Sequence, residues 1–135
     1  MRRLAAAVVA AAGVVAPVTV APAAAANPVP APPYVDHVEW AKWGDLSSLR
    51  VFPTAAGRQA AGLVTAPDQA WAEVLTLSPD ADIPGMKAQF ICHWQFAELG
   101  QPGKVSWNLE PWRPEVSDDE MMAAGCNPGG TIEPF

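Results

Sequence analysis

The chain has 135 residues, of which 50% are hydrophobic and 16% charged, and its formal net charge is −6. A chain this short has room for one domain and not for two. Its acidity repels a phosphate backbone, and no cluster of Lys and Arg offsets that, so nucleic-acid binding and adhesion to anionic lipid are excluded from the expected functions.

Residues 1–26 read as a secretory signal peptide. Met1-Arg2-Arg3 is a basic start, Leu4 to Val20 is an uncharged run rich in Ala and Val, and Ala24-Ala25-Ala26 offers small residues at both positions a signal peptidase reads. The competing reading is an uncleaved membrane anchor, since Leu4 to Ala26 reaches the roughly 20 residues that a span needs. Pro17 and Pro22 interrupt that run, and alanine gains little by entering lipid, which favours cleavage. The residues after Arg2-Arg3 do not fit a twin-arginine signal. Cleavage after Ala26 leaves 109 residues and takes the net charge from −6 to −8. Nothing beyond residue 27 is apolar enough to span a membrane. The mature protein is therefore expected to be secreted, or held in the cell envelope, with no membrane association after cleavage.

Residues 27–33 (NPVPAPP) form an extended Pro-rich leader. A single domain is expected over 34–128, with a flexible tail at 129–135. Tyr34 to Pro53 predicts a β-hairpin: one strand from Val35 to Trp43, a second from Leu46 to Phe52, and Gly44 at the first position of a two-residue type II′ turn. That turn pairs Trp43 with Leu46, Trp40 with Leu49 and Val38 with Val51 on one face, and Glu39 with Arg50 on the other. A slip of one residue would destroy both sets of matches.

Thr54 to Gly62 predicts a short Ala-rich helix, and Pro67-Asp68 opens another, with Trp71, Val74 and Leu75 on one face. Ser78 to Gly85 reads as a loop. Met86 to Leu99 predicts the central helix, capped by Gly100 in the left-handed conformation; Lys87, Ile91, Gln95 and Glu98 form its wet stripe, and Phe90, Trp94 and Phe96 belong to the covered remainder. Lys104 to Leu109 alternates as a half-buried strand, with Val105, Trp107 and Leu109 facing inward. Ser117-Asp118-Asp119-Glu120 is a capping box that opens a last short helix, ended by Gly125. The fold class is α+β: a small antiparallel sheet, the N-terminal hairpin plus a later strand, with helices packed on one face.

Two cysteines, Cys92 and Cys126, read as one disulfide in an exported chain, since neither a Cys-x-x-Cys nor a His-Cys cluster supports metal or redox roles. His93 lies on the buried face of the central helix. It reads either as a core histidine bonded to a backbone carbonyl or a carboxylate, or as a base in a cleft oriented by Glu110 or another acid. His37 reads as a solvated strand residue. Trp107 to Pro114 (WNLEPWRP) is either a recognition surface, with Trp107, Trp112 and Arg113 as binding residues, or a structural strap across the core. No metal site is expected: Asp80 and Asp82 with Gly85 resemble a Ca²⁺ loop only in outline and lack the later acidic ligand. No Gly-x-Ser-x-Gly occurs, and nothing implies a cofactor.

Gly85-Met86, Gln89-Phe90-Ile91-Cys92-His93, Trp107-Asn108-Leu109-Glu110-Pro111 with Arg113-Pro114, and Cys126-Asn127-Pro128 together resemble a secreted bacterial family, common in actinobacteria, catalogued as domain of unknown function 2599. The resemblance covers Tyr34 to Pro128. It implies an exported domain with paired cysteines and supplies no activity, substrate or catalytic set. The expected function is a non-enzymatic binding protein at or near the cell envelope, its partner a protein or a cell-wall glycan. The alternative is an extracellular hydrolase or toxin-like enzyme using His93, Glu110 and Arg113.

Overall fold

The computed structural model of the protein describes residues 12–25 and 28–130. The basic start, the expected cleavage point and the end of the expected tail lie outside the described residues. Residues 12–25 carry no helix or strand and are exposed. Among the described residues, no helix is long and apolar enough to cross a membrane.

The hairpin forms in the register that its side chains specify. Strands β1 (Val35–Trp43) and β2 (Leu46–Pro53) pair Trp43 with Leu46, Trp40 with Leu49, Val38 with Val51 and Glu39 with Arg50. Gly44 takes φ +57°, the conformation the first turn position requires and a side chain would resist. Strand β3 (Trp107–Leu109) pairs antiparallel with the other edge of β2, giving the order β1-β2-β3. Leu49 opposes Leu109 and Val51 opposes Trp107, so all four point to one face.

Helices cover that face. In α1 (Ala55–Gly62), Thr54 caps the first turn by accepting from the Gly57 amide at 2.9 Å, and its hydroxyl donates to the Pro33 carbonyl at 2.7 Å. Helix α2 (Pro67–Leu77) buries Ala70, Trp71 and Val74, and a single 3₁₀ turn over Pro79–Ala81 lies inside the expected loop. Helix α3 (Met86–Gly100) is the central element and α4 (Asp118–Ala123) the last, opened by the Ser117 hydroxyl accepting from the Glu120 amide at 3.3 Å. Trp94 centres an aromatic cluster: Trp107 lies 5.9 Å away edge-on, Phe90 5.9 Å and Tyr34 5.8 Å, and Trp71 extends it through Phe90 at 5.5 Å. Such pairs add to the burial of these large rings. Glu73 of α2 fastens the start of the sheet, its carboxylate accepting from the Tyr34 and Val35 amides at 2.7 and 2.9 Å.

Three local expectations are corrected. The third strand is half its expected length: Val105 is exposed, because residues 104–105 leave the sheet and offer their carbonyls to the Arg58 guanidinium, itself ion-paired to Glu98 at 2.6 Å. Gly100 does not end α3 as a left-handed cap; the helix runs through it, and Gly103 at φ +73° makes the turn, its amide bonding Glu98 at 3.1 Å. Phe96 lies at the surface of α3, not in the core.

Candidate functional site

The sheet has a second covered surface, where the candidate acid and base positions gather. Strand alternation sends Ser48, Arg50, Asn108 and Glu110 away from the helices, so the chain leaving β3 must cross beneath the sheet. The segment after Leu109 does so as a strap: the Trp112 indole donates to the Ser47 carbonyl at 3.1 Å, and Arg113 stacks on the Trp112 ring at 4.6 Å. Asn108 and Glu110 are buried as a result.

Glu110 and Arg113 form an ion pair at 2.6 Å with both side chains 0% exposed. The other carboxylate oxygen of Glu110 accepts from the Ser48 hydroxyl at 2.9 Å. Its main chain is held twice by one side chain of α3: the Gln89 amide donates to the Glu110 carbonyl, and the Gln89 carbonyl accepts from the Glu110 amide, both at 2.9 Å. Arg113 turns Nη1 on the C-terminal segment, bonding the carbonyls of Pro128 (3.1 Å) and Gly130, while its buried Nη2 has no hydrogen-bond partner among the described residues. The pair thus joins β2, α3, the strap and the C-terminal segment. A carboxylate enclosed in this way is paired as buried charge must be, and it offers no lone pair to a solute.

His93 sits one helical turn beyond Gln89. Its Nδ1 bonds the Gln89 carbonyl at 2.9 Å, which a carbonyl can only accept, so Nδ1 carries the proton. The ring is buried but borders a cleft of about 340 Å³ shared with Phe96, Lys104, Met122 and Cys126. Glu110 and Arg113 do not line that cleft. Trp107 is fully buried, Arg113 nearly so and Trp112 partly, so of the three aromatic and basic rim residues only Trp112 reaches solvent appreciably.

Cys92 and Cys126 are bonded, with Cα atoms 5.5 Å apart across 34 residues. Closing a loop of that length is worth about 3–4 kcal/mol in the chain-entropy model. The bridge lies in a seam between α3 and α4. A second cleft of about 470 Å³ opens on its other side, bordered by Lys87, Ile91, Phe96, Glu115, Val116 and Met121.

Elsewhere, His37 is exposed, stacked on Phe52 at 4.1 Å and bonded to Asp36 at 2.6 Å. Asp80 accepts a short hydrogen bond from the Ser78 hydroxyl, which holds its carboxyl below the usual value of 3.8; Ser78 in turn accepts from the Trp40 indole at 3.0 Å. Among the described residues, no three His, Cys, Asp or Glu side chains gather as a metal site.

Gln89 and Ser48 are the partners that sequence reasoning passed over. Gln89 carried a signal, a polar residue on the buried face beside Phe90. Ser48 carried none beyond its alternation with Leu49.

A three-stranded sheet under an aromatic helical layer, closed by one buried bridge and a buried ion pair, defines a small disulfide-stabilised α+β domain. The chain belongs to the family described as Protein of unknown function (DUF2599), which matches residues 35–129. It is similar to uncharacterized proteins of Mycobacterium tuberculosis and Mycobacterium bovis, 62% identical over 112 residues that cover 81% of this chain and 75% of theirs. An uncharacterized protein of Mycobacterium leprae is 57% identical over 99 residues, 72% of this chain and 80% of that one. No solved structure matches the chain.

Proposed function

We propose that this is an exported, non-enzymatic binding domain that works at or near the cell envelope and meets its partner, a protein or a wall glycan, along the α3–α4 seam. Export is supported by the basic start and Ala-rich run of residues 1–26 and by a disulfide suited to oxidising surroundings. The observation that carries the reading is the burial of the Glu110–Arg113 pair. The carboxylate and guanidinium that could have served chemistry are spent on holding the fold, while the open clefts flank the seam. The larger cleft mixes apolar groups (Ile91, Phe96, Val116, Met121) with a few polar ones, as ligand sites do. The hydrolase or toxin-like alternative keeps one observation in its favour, His93 bordering the smaller cleft, and lacks Glu110 and Arg113 there.

The test is titration of the purified protein against peptidoglycan, wall polysaccharides and secreted proteins. Saturable binding to one of these, weakened at least tenfold by Phe96→Ser with folding intact, is the expected result; Phe96 borders both clefts. No saturable binding to any of them, or equal binding by the variant, overturns the proposal. Hydrolysis of a wall polymer abolished by His93→Ala in a folded protein would establish the alternative.

A further inference from the structure

We propose that the Cys92–Cys126 bridge is a redox latch: a dithiol reductant opens it and frees residues 116–126, including α4, from α3 while the rest of the domain stays folded. The inference concerns the seam itself and stands whatever the seam binds.

Helix α4 lies outside the main core. The central hydrophobic cluster runs from Tyr34 to Leu109 and includes no residue of α4. What buries α4 is a separate cluster of Cys92, Met121 and Cys126, with Val116 at its edge. Two of those three buried residues are the bridge. Without the covalent bond, the attachment is only the packing of this small cluster, two thiols with Met121 and the flank of Val116, with a cleft open on either side. A helix of six residues is far too short to persist alone, so its order depends on being held down.

The backbone at the end of α4 is held in an unfavourable conformation. Cys126 takes φ +67°, a left-handed conformation that L side chains adopt at a cost. Its amide bonds the Met121 carbonyl at 3.0 Å, closing the end of α4 directly onto the bridged residue. Breaking the bridge removes the constraint that holds Cys126 there, and the turn that ends α4 relaxes with it.

The opening stays local because the chain on both sides of residues 116–126 is clamped elsewhere. Arg113 bonds the Pro128 and Gly130 carbonyls, and a side chain at Gly129 would fall 2.7 Å from the Pro114 ring, so strap and C-terminal segment are in close contact. The segment between them is a flap whose base the Glu110–Arg113 pair secures, and whose attachment to α3 the bridge secures.

The chemistry is thiol–disulfide exchange. Cys92 borders the larger cleft and Cys126 the smaller, and each residue is 4–5% exposed, so a reductant reaches the bridge through the clefts. A reductant thiolate attacks Cys126 Sγ, forming a mixed disulfide and releasing Cys92 as a thiolate. The reductant's second thiol, as its thiolate, then displaces Cys126. Two electrons pass from the dithiol to the bridge, the reductant leaves as its own disulfide, and its two protons end on the cysteines. Opening joins the two clefts and uncovers the Cys92–Phe96 face of α3.

The test is amide hydrogen exchange of the whole protein, oxidised and in excess dithiothreitol, followed by mass spectrometry. The amides of Met121, Ala124, Gly125 and Cys126, all bonded within the flap, are expected to exchange about 100-fold faster on reduction, with those of β2 and α3 unchanged. A Cys92→Ala/Cys126→Ala variant reproduces this pattern without reductant; if that variant does not fold, reduction of the folded wild type decides alone. Unchanged protection in the flap overturns the proposal. So does simultaneous loss of protection in β2, α3 and the flap, which would make the bridge a global brace instead of a latch.

Discussion

Replacing Arg113 with methionine isolates what the buried ion pair contributes. Methionine keeps much of the side chain's length and apolar stem and removes the guanidinium. Glu110 then keeps the Ser48 hydroxyl but loses its cation at 0% exposure, and the Pro128 and Gly130 carbonyls lose their donor. Breaking a buried pair from one side costs about 3–5 kcal/mol, because the partner charge stays buried and uncompensated. A domain of this size has a total stability of about 5–15 kcal/mol, so the variant should be close to unfolding at 37 °C. At about 4–8 °C per kcal/mol, the melting temperature should fall by about 12–40 °C. The double variant Glu110→Gln/Arg113→Met removes both charges and should be less destabilised than the sum of the single variants by at least about 2 kcal/mol. Urea unfolding followed by tryptophan fluorescence gives all four corners of the cycle, and calorimetry checks the midpoints. If Arg113→Met costs under about 1 kcal/mol, or the coupling is near zero, the pair does not join sheet, strap and C-terminal segment as argued.

Gly57→Ala places a Cβ 2.0 Å from the Tyr34 carbonyl oxygen, where α1 crosses the start of β1, and should cost about 3 kcal/mol or more in urea unfolding; Gly62→Ala, with nothing within 4 Å, should be neutral or slightly stabilising. Trp94→Ala should cost about 3–5 kcal/mol, whereas Trp43→Ala, on a ring 59% exposed at the hairpin end, should change the same measurement by under about 1 kcal/mol. Asp80 has its carboxyl lowered by the Ser78 hydroxyl, so the stability it contributes is present above the ordinary carboxylate range and is lost as pH falls through its lowered folded value. Carboxyl NMR should find the Asp80 midpoint under 3.8, and Ser78→Ala should move it upward.

The hairpin was legible because its information is local. Gly44 admits one turn, and the turn sets a register in which Trp40 meets Leu49 and Glu39 meets Arg50, so chemistry and geometry agree within twenty residues. The cap at Ser117 and the apolar face of α2 are local in the same way. The sulfur pairing followed from there being only two cysteines.

The third strand is shorter than its alternation predicts, for a physical reason that no periodicity carries. Lys104 and Val105 alternate correctly with Trp107, but an arginine from α1 competes for their carbonyls and wins. The same holds for Glu110 and Arg113. Their spacing allows a pair, and so does an exposed recognition rim with Trp107 and Trp112. Burial chose between these, and burial depends on the strap passing under β2, on Gln89 reaching from α3, and on the C-terminal segment closing over Arg113. Local hydrogen bonding and hydrophobic period belong to the sequence because they act between near neighbours. Which polar groups end up enclosed, and which clefts stay open beside the bridge, depends on segments far apart in the chain meeting in space, and tertiary packing alone decided it.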